Sequence, residues 1–329
     1  MKRIVVLVDG TWENETSATN IAKLVPLIKG VDAHGVEQVV FYHDGVGSES
    51  DILRHLLGGA IGLGLKGIVQ AGYDSAFLNY RQGDEIYIFG FSRGAYAARA
   101  IAGRLGGAPG EPSTPVKCVG VFETVGSYGI PAGIGLAALA RYYAQTTLGF
   151  SDTVLGEHVD VGLHALAIDE RRRPFVPTFW TCPQGKPPHA HVEQVWFAGD
   201  HCGVGGGGPD SGTSDIALLW MIARVQHLTG LAFDAEAIEA TTRPAISGPI
   251  YDSTIGWPID HLFPHERPIL ASWRDVAVPQ PDHAMMHIGE KVHWSAITRR
   301  RAGVKYRPDN LPHNLLDTEV CYHRYAGGW

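Results

Sequence analysis

Asp84-Glu85-Ile86-Tyr87-Ile88-Phe89-Gly90 runs without a break into Phe91-Ser92-Arg93-Gly94-Ala95. A β-branched and aromatic run ending in glycine predicts a buried strand, and the alanine-rich Ala95–Leu105 predicts a helix. Between them stands Gly-x-Ser-x-Gly in a strand–turn–helix context, the setting in which a serine is held out on a sharp turn. Small residues at 90 and 94 let strand and helix approach. The Arg93 N–H, at a helix N-terminus, is then aimed where charge would develop on a carbonyl oxygen. Ser92 is therefore the candidate nucleophile and Arg93 a candidate oxyanion donor. A second donor is expected from the loop after an earlier strand. Asp9-Gly10-Thr11-Trp12 follows the apolar run Ile4–Val8, so Gly10 or Thr11 is expected to supply it, with Asp9 in a supporting role.

Working outward, Val36–Tyr42, Val116–Phe122 and Val192–Ala198 read as further strands beside Ile4–Val8 and Asp84–Gly90. Asn20–Ile28 has helical spacing, weakened by Pro26. Leu53 to Leu78 is apolar but rich in glycine, at Gly58, Gly59, Gly62, Gly64 and Gly67 among others, which predicts a broken or closely packed helical region. Alternating strands and helices imply an α/β chain with a doubly wound, mainly parallel sheet. Residues 126–190 lack strand patterning. They hold the helix-like Ala132–Leu148 and Leu163–Arg173 and then a proline-rich link, which reads as an inserted helical cap. The division expected is a core of residues 1–125 and 191–329, the latter ending in a C-terminal cover, with the cap at 126–190.

Composition narrows the function. Of 329 residues, 45% are hydrophobic and 19% charged, with a net charge of −7 and no block of one sign. That argues against a nucleic-acid binder, which needs a basic stripe. The 41 glycines exceed the usual share of about 7%. Cys118, Cys182, Cys202 and Cys321 are far apart, which suits reduced thiols in the cytoplasm and no zinc ribbon. The five apolar residues before Asp9 are fewer than the roughly 7–15 of a signal peptide, and no apolar stretch reaches the about 18–20 residues of an integral membrane segment. The glycine run 205–208 lacks the Gly-Lys-Ser/Thr ending of a phosphate loop. The spacing His-x-x-x-His occurs as His261/His265 and His283/His287, but neither pair carries the glutamate of a zinc protease helix. No metal or cofactor is expected.

Several strings, in order, carry a resemblance. Asp9-Gly10-Thr11-Trp12, Tyr42-His43-Asp44-Gly45-Val46-Gly47, Gly83 through Tyr96 with Arg99, His164-Ala165-Leu166-Ala167-Ile168-Asp169-Glu170-Arg171, Trp196-Phe197-Ala198-Gly199 and Val292-His293-Trp294-Ser295 span nearly the whole chain. In them the sequence resembles the α/β-hydrolase domain family that includes the phospholipase effectors of type VI secretion systems. Two positions depart from that family. Its Trp-Asp-Thr-Val-Gly is Phe122-Glu123-Thr124-Val125-Gly126 here, and an aspartate common after the Trp-Phe-x-Gly strand is Gly203. The resemblance implies an α/β-hydrolase fold, lipid or phospholipid esters as substrates, peripheral lipid contact, and an export route that needs no signal peptide.

Hydrolases of this fold order their triad as serine, acid, histidine. The expected triad is Ser92, Asp200 and His293: Asp200 follows the fifth strand, and His293 matches a family segment. Glu123, at the end of the fourth strand, competes as the acid, and His201 and His164 compete as the base. The expected reaction is hydrolysis of a carboxylic ester through an acyl-enzyme. The rival is a module of the same fold that binds a partner and has no catalysis. The oligomeric state leaves no mark in the sequence.

Overall fold

The computed structural model describes residues 1–10, 18–45, 61–107, 110, 112–125, 153–183, 188–270, 285–302 and 305–323. Its centre is an eight-stranded sheet in the order β10-β9-β7-β5-β4-β3-β1-β2. These strands are β1 (Lys2–Val8), β2 (Glu37–His43), β3 (Glu85–Phe91), β4 (Val116–Phe122), β5 (Val159–Ala167), β7 (His191–Phe197), β9 (Glu290–His293) and β10 (Val320–Cys321). Every pairing in it is parallel. A separate antiparallel pair joins β6 (Thr181–Pro183) to β8 (Met285–His287). The chain is thus an α/β protein, and the order reverses between β1 and β3. In parallel sheets that reversal opens a crevice at the carboxyl ends of the strands.

Both faces of the sheet are covered, as parallel strands require. One face meets α1 (Asn20–Leu27), α5 (Gly212–Thr229) and α6 (Ala235–Thr241) through Val5, Leu7, Phe89, Leu163 and Phe197. The other meets α2 (Ile61–Phe77) and α3 (Arg93–Leu105) through Ile4, Val6, Ile88, Val119 and Val121. Helix α2 stays continuous despite its glycines, and at Gly72 close packing has a use for one. A Cβ on Gly72 would lie 2.4 Å from Ile101 Cδ1 of α3. Helix α1 holds Pro26 in its last turn and ends one residue later; the proline has no N–H to bond back to Ala22 O.

The main departure from the sequence reading is β5. A helix was expected over Leu163–Arg173, yet Val159–Ala167 is a strand between β4 and β7. Alanine and leucine favour helices in isolation. Here Leu163, Ala165, Leu166 and Ala167 are all fully buried inside the sheet, and that environment overrides propensity. A strand of the central sheet therefore lies within the stretch read as a cap. The expected helix Ala132–Leu148 lies outside the described residues, as do Thr11, Trp12 and 46–60. The short α4 (His201–Gly205), α7 (Pro258–Leu262) and α8 (Trp294–Arg301) complete the elements used below.

Candidate active site

Ser92 stands between β3 and α3 with φ 57° and ψ −119°, a region that non-glycine residues avoid. Its backbone is held from below: Ser92 N–H donates to Phe122 O at 3.0 Å, and Val125 N–H donates to Ser92 O at 3.3 Å. The flanking glycines have a steric cause. A Cβ on Gly90 would lie 2.4 Å from Gly94 O, and one on Gly94 would lie 2.3 Å from both Val8 O and Asp9 O. Strand and helix cross there with no room for a methyl group.

Glu123 ends the neighbouring strand β4 and is also strained, with φ 47°. Its carboxylate is fully buried and meets four donors. Ala167 N–H (2.7 Å) and Arg267 Nη1 (2.8 Å) bind Oε1, while Arg267 Nη2 (2.9 Å) and His201 Nδ1 (3.1 Å) bind Oε2. Burial alone would raise its pKa, but the Arg267 guanidinium and the His201 bond outweigh it and hold the carboxyl at about 2. Because an ionised carboxylate only accepts, the proton on His201 sits at Nδ1 and its lone pair at Nε2. The His201 ring is buried between Phe91 (centroids 4.7 Å) and Phe175 (4.8 Å, edge-on). Phe91 is the residue before Ser92, so the imidazole lies over the end of β3. Among the described residues, the Ser92 hydroxyl makes no hydrogen bond to an imidazole.

The other histidines sit differently. His164, on β5, accepts Thr124 N–H at Nε2 (3.2 Å), which leaves Nδ1 to donate to Gln194 Oε1 (3.3 Å). Burial and the nearby Arg99 cation push its pKa down to about 3. It is a neutral strut under the Glu123 loop. His293 ends β9, four strands from β3, a span of ~19 Å at about 4.8 Å per strand. Its Nδ1 accepts Ser295 N–H at 3.4 Å, and Nε2 faces His323 O at 3.3 Å. The structure brings His201 and Glu123 together beside Ser92; it does not bring His293 there.

On the β1 side, Asp9 is buried just past the end of β1. It accepts hydrogen bonds from Thr19 Oγ1 (2.6 Å) and Tyr42 Oη (2.8 Å), and burial raises its carboxyl above the usual range despite them. Its Oδ1 also takes the Gly10 N–H at 2.7 Å, so that donor is spent in this conformation. Thr11, the other expected donor, lies outside the described residues. Burial lowers the Arg93 side chain to about 10.

The family model for the T6SS, phospholipase effector Tle1-like, catalytic domain matches residues 2–108 and 106–224. The chain belongs to that family. Ser92, Glu123 and His201 fall inside the matched span, and His293 and Arg267 fall beyond it. A curated relative, the uncharacterized protein YEL023C of Saccharomyces cerevisiae, is 34% identical over 119 residues, 32% of this chain and 17% of that protein. The crystal structure of an uncharacterized protein from Pseudomonas aeruginosa shares the fold, with a TM-score of 0.50 and 19% identity over 75% of this chain and 49% of that one. The chain therefore spans about half or less of the length of these relatives.

Against the Tle1-like family background, the Gly203 departure has a spatial counterpart. Asp200 caps α4 by accepting Gly203 N–H at 2.9 Å, and a Cβ on Gly203 would lie 2.8 Å from its Oδ1. The Asp200 carboxylate fills the room that a side chain at 203 would need. Burial, with Glu170 nearby, raises its pKa. Asp200 thus fixes the turn that carries His201, and the bond to the imidazole comes from Glu123. Arg267 escaped the sequence reading because it lies in an irregular stretch, His265-Glu266-Arg267-Pro268, with no periodicity or motif to mark it.

Proposed function

We propose that this Tle1-like domain hydrolyses carboxylic esters of lipids, phospholipids among them, through Ser92, His201 and Glu123 on an α/β-hydrolase-type scaffold. The observation that carries the reading is the Glu123–His201 pair at 3.1 Å beside the strained Ser92 turn. Glu123 fixes the tautomer, so His201 Nε2 takes the Ser92 proton as Oγ attacks the ester carbonyl. The same nitrogen then returns the proton to the leaving alcohol, and water releases the acid in a second round. The Arg93 N–H supports the oxyanion from the helix N-terminus. The order serine, acid, histidine along the chain suits this assignment. The sequence-favoured pair, Asp200 and His293, gives way to the alternates Glu123 and His201, because an acid must touch its base and a base must reach its nucleophile.

One observation favours a binding module without catalysis: the missing Ser92–imidazole hydrogen bond. Such bonds are often long before substrate arrives and tighten in the complex, so it weighs less than the buried pair. The experiment is labelling with a fluorophosphonate plus hydrolysis of a short-chain ester and of a phospholipid. Labelling should vanish in Ser92→Ala, and His201→Asn should lower turnover by at least about 10³-fold. His293→Asn should stay within about tenfold of the unsubstituted chain. Full activity in His201→Asn, or none in a well-folded unsubstituted chain, overturns the reading.

A further inference from the structure

The segment 251–265 is built inside out. In α7 the charged Asp260 is buried and its Oδ1 accepts Arg173 N–H at 3.2 Å. Its neighbours Ile259 and Leu262, one turn apart, are 70% and 72% exposed. Ile255 (75%) and Phe263 (65%) extend the same surface, with Tyr251 at its margin. A helix that turns its polar residue inward and its aliphatic residues outward is the reverse of what water favours. Soluble surfaces seldom gather large apolar side chains this way without an occupant.

The surroundings say what that occupant is. The segment Arg171–Arg173 runs alongside: Arg171 N–H donates to Ser253 Oγ (3.3 Å), and Arg171 O accepts His265 N–H (2.9 Å). Arg171 and Arg173 are exposed, so two cations flank the apolar residues. Arg172 instead turns inward, onto Glu170 and over the Phe175 ring. Of the nearby acids, Asp260 is buried, Asp252 faces His261 at 3.9 Å, and Glu266 remains exposed. The patch is also tied to the candidate site. Trp257, at the start of α7, meets Phe175 edge-on at 6.0 Å, and Phe175 meets His201 at 4.8 Å. Two aromatic rings in contact, Trp257 and Phe175, thus link the segment that carries the apolar surface to the proposed base.

We propose that Ile255, Ile259, Leu262 and Phe263, with Arg171 and Arg173, form a docking surface for an anionic phospholipid bilayer, which seats the active site at the lipid interface. Apolar side chains enter the headgroup–acyl boundary while the arginines meet lipid phosphates, the pattern by which interfacial helices bind. This surface rests on the lipid-ester reading above, but it is testable without catalysis. The chain carrying Ser92→Ala, which leaves vesicles intact, should sediment with phosphatidylcholine–phosphatidylglycerol vesicles and far less with phosphatidylcholine alone. Ile259→Asp/Leu262→Asp in that background should weaken binding at least about tenfold. Arg171→Gln/Arg173→Gln should weaken it too and flatten its salt dependence. With Ser92 present, the Asp variant should hydrolyse a soluble short-chain ester at the parent rate while vesicle phospholipid hydrolysis falls about tenfold. If vesicles bind but no ester is cleaved, the surface stands and the catalytic reading falls. The proposal is overturned if the Ser92→Ala chain ignores anionic vesicles or if both paired variants bind as the parent does. It is equally overturned if the parent is a dimer that Ile259→Asp/Leu262→Asp splits, which would assign the patch to a second copy.

Discussion

A carboxylate as deeply buried as that of Glu123 stays ionised because the Ala167 N–H, the His201 ring and both arms of Arg267 converge on it. Arg267 is itself buried, and its Nη1 and Nη2 also donate to Ala167 O and Phe175 O. Removing one member of such a pair leaves the other charge without compensation. Arg267→Met should therefore cost about 3–5 kcal/mol, read as a fall in urea midpoint. Glu123→Gln/Arg267→Met should recover part of that loss, with a coupling on the order of 1–3 kcal/mol. Simple additivity of the two single changes would show that the ion pair carries no such energy. Arg267→Lys keeps the charge but loses the planar fork, so it should fall between parent and Met. Ser92, Glu123 and His201 each stand in a motif that the sequence displays. What the sequence hid was their pairing, because chain order ranks acids and bases without knowing the order of strands in the sheet. That order puts β4 beside β3 and β9 four places away, which separates Glu123 from His293 as partners for Ser92.

The elbow is an element whose geometry both glycines enforce, and the strain it stores is measurable. Gly94→Ala sets a methyl group 2.3 Å from two carbonyl oxygens of the β1 end, so α3 must back away from the sheet. Overpacking of this kind costs about 1–3 kcal/mol, and the displaced Ser92 should lose most turnover; a parent-like Tm and rate would refute that close approach. Ser92→Gly acts in the opposite direction. A non-glycine residue in such a backbone conformation costs about 1–3 kcal/mol, while glycine loosens the unfolded chain by about 0.4–1 kcal/mol. The net is a gain of about 1 kcal/mol, a rise of roughly 2 °C in Tm for an inactive protein. Ser92→Gly melting below the parent would mean that the turn is relaxed. The strands flanking this elbow were legible because valine, isoleucine and phenylalanine dominate them. β5 was not, since Gly162, Ala165 and Ala167 dilute its β-branched content and only its central position makes it a strand. β9 and β10, at four and two residues, are too short for any periodicity to register.

Across the whole molecule, buried groups of opposite sign make stability depend on pH in ways that single substitutions can separate. His164 stays neutral in the folded chain down to about 3, because burial and Arg99 disfavour its cation. In the unfolded chain it takes up a proton near 6.5. Between those values the unfolded state binds more protons, so His164 makes the fold less stable as pH falls. Asp169 works the other way. Burial raises it to about 6, against the bonds from Gly199 N–H and Tyr306 Oη. Between about 6 and its unfolded value of about 3.9, the folded state holds the extra proton, and acidification stabilises. Glu123, held at about 2, contributes stability that is complete above its unfolded value of about 4.3 and is lost as pH falls toward 2. Each variant should be compared with the parent by urea unfolding at a series of pH values, so that every other group cancels. His164→Gln, which keeps an acceptor for Thr124 N–H, should gain on the parent as pH drops below 6.5, by up to about 1.4 kcal/mol per pH unit. Asp169→Asn should be the more stable protein at neutral pH, by up to about 2–3 kcal/mol, and should lose that advantage by about pH 4, below which the parent carboxyl is protonated in both states. If the two differences ran parallel with pH, at least one of these groups would not be in the environment that its neighbours impose. If both stayed flat, neither would change its proton affinity on folding.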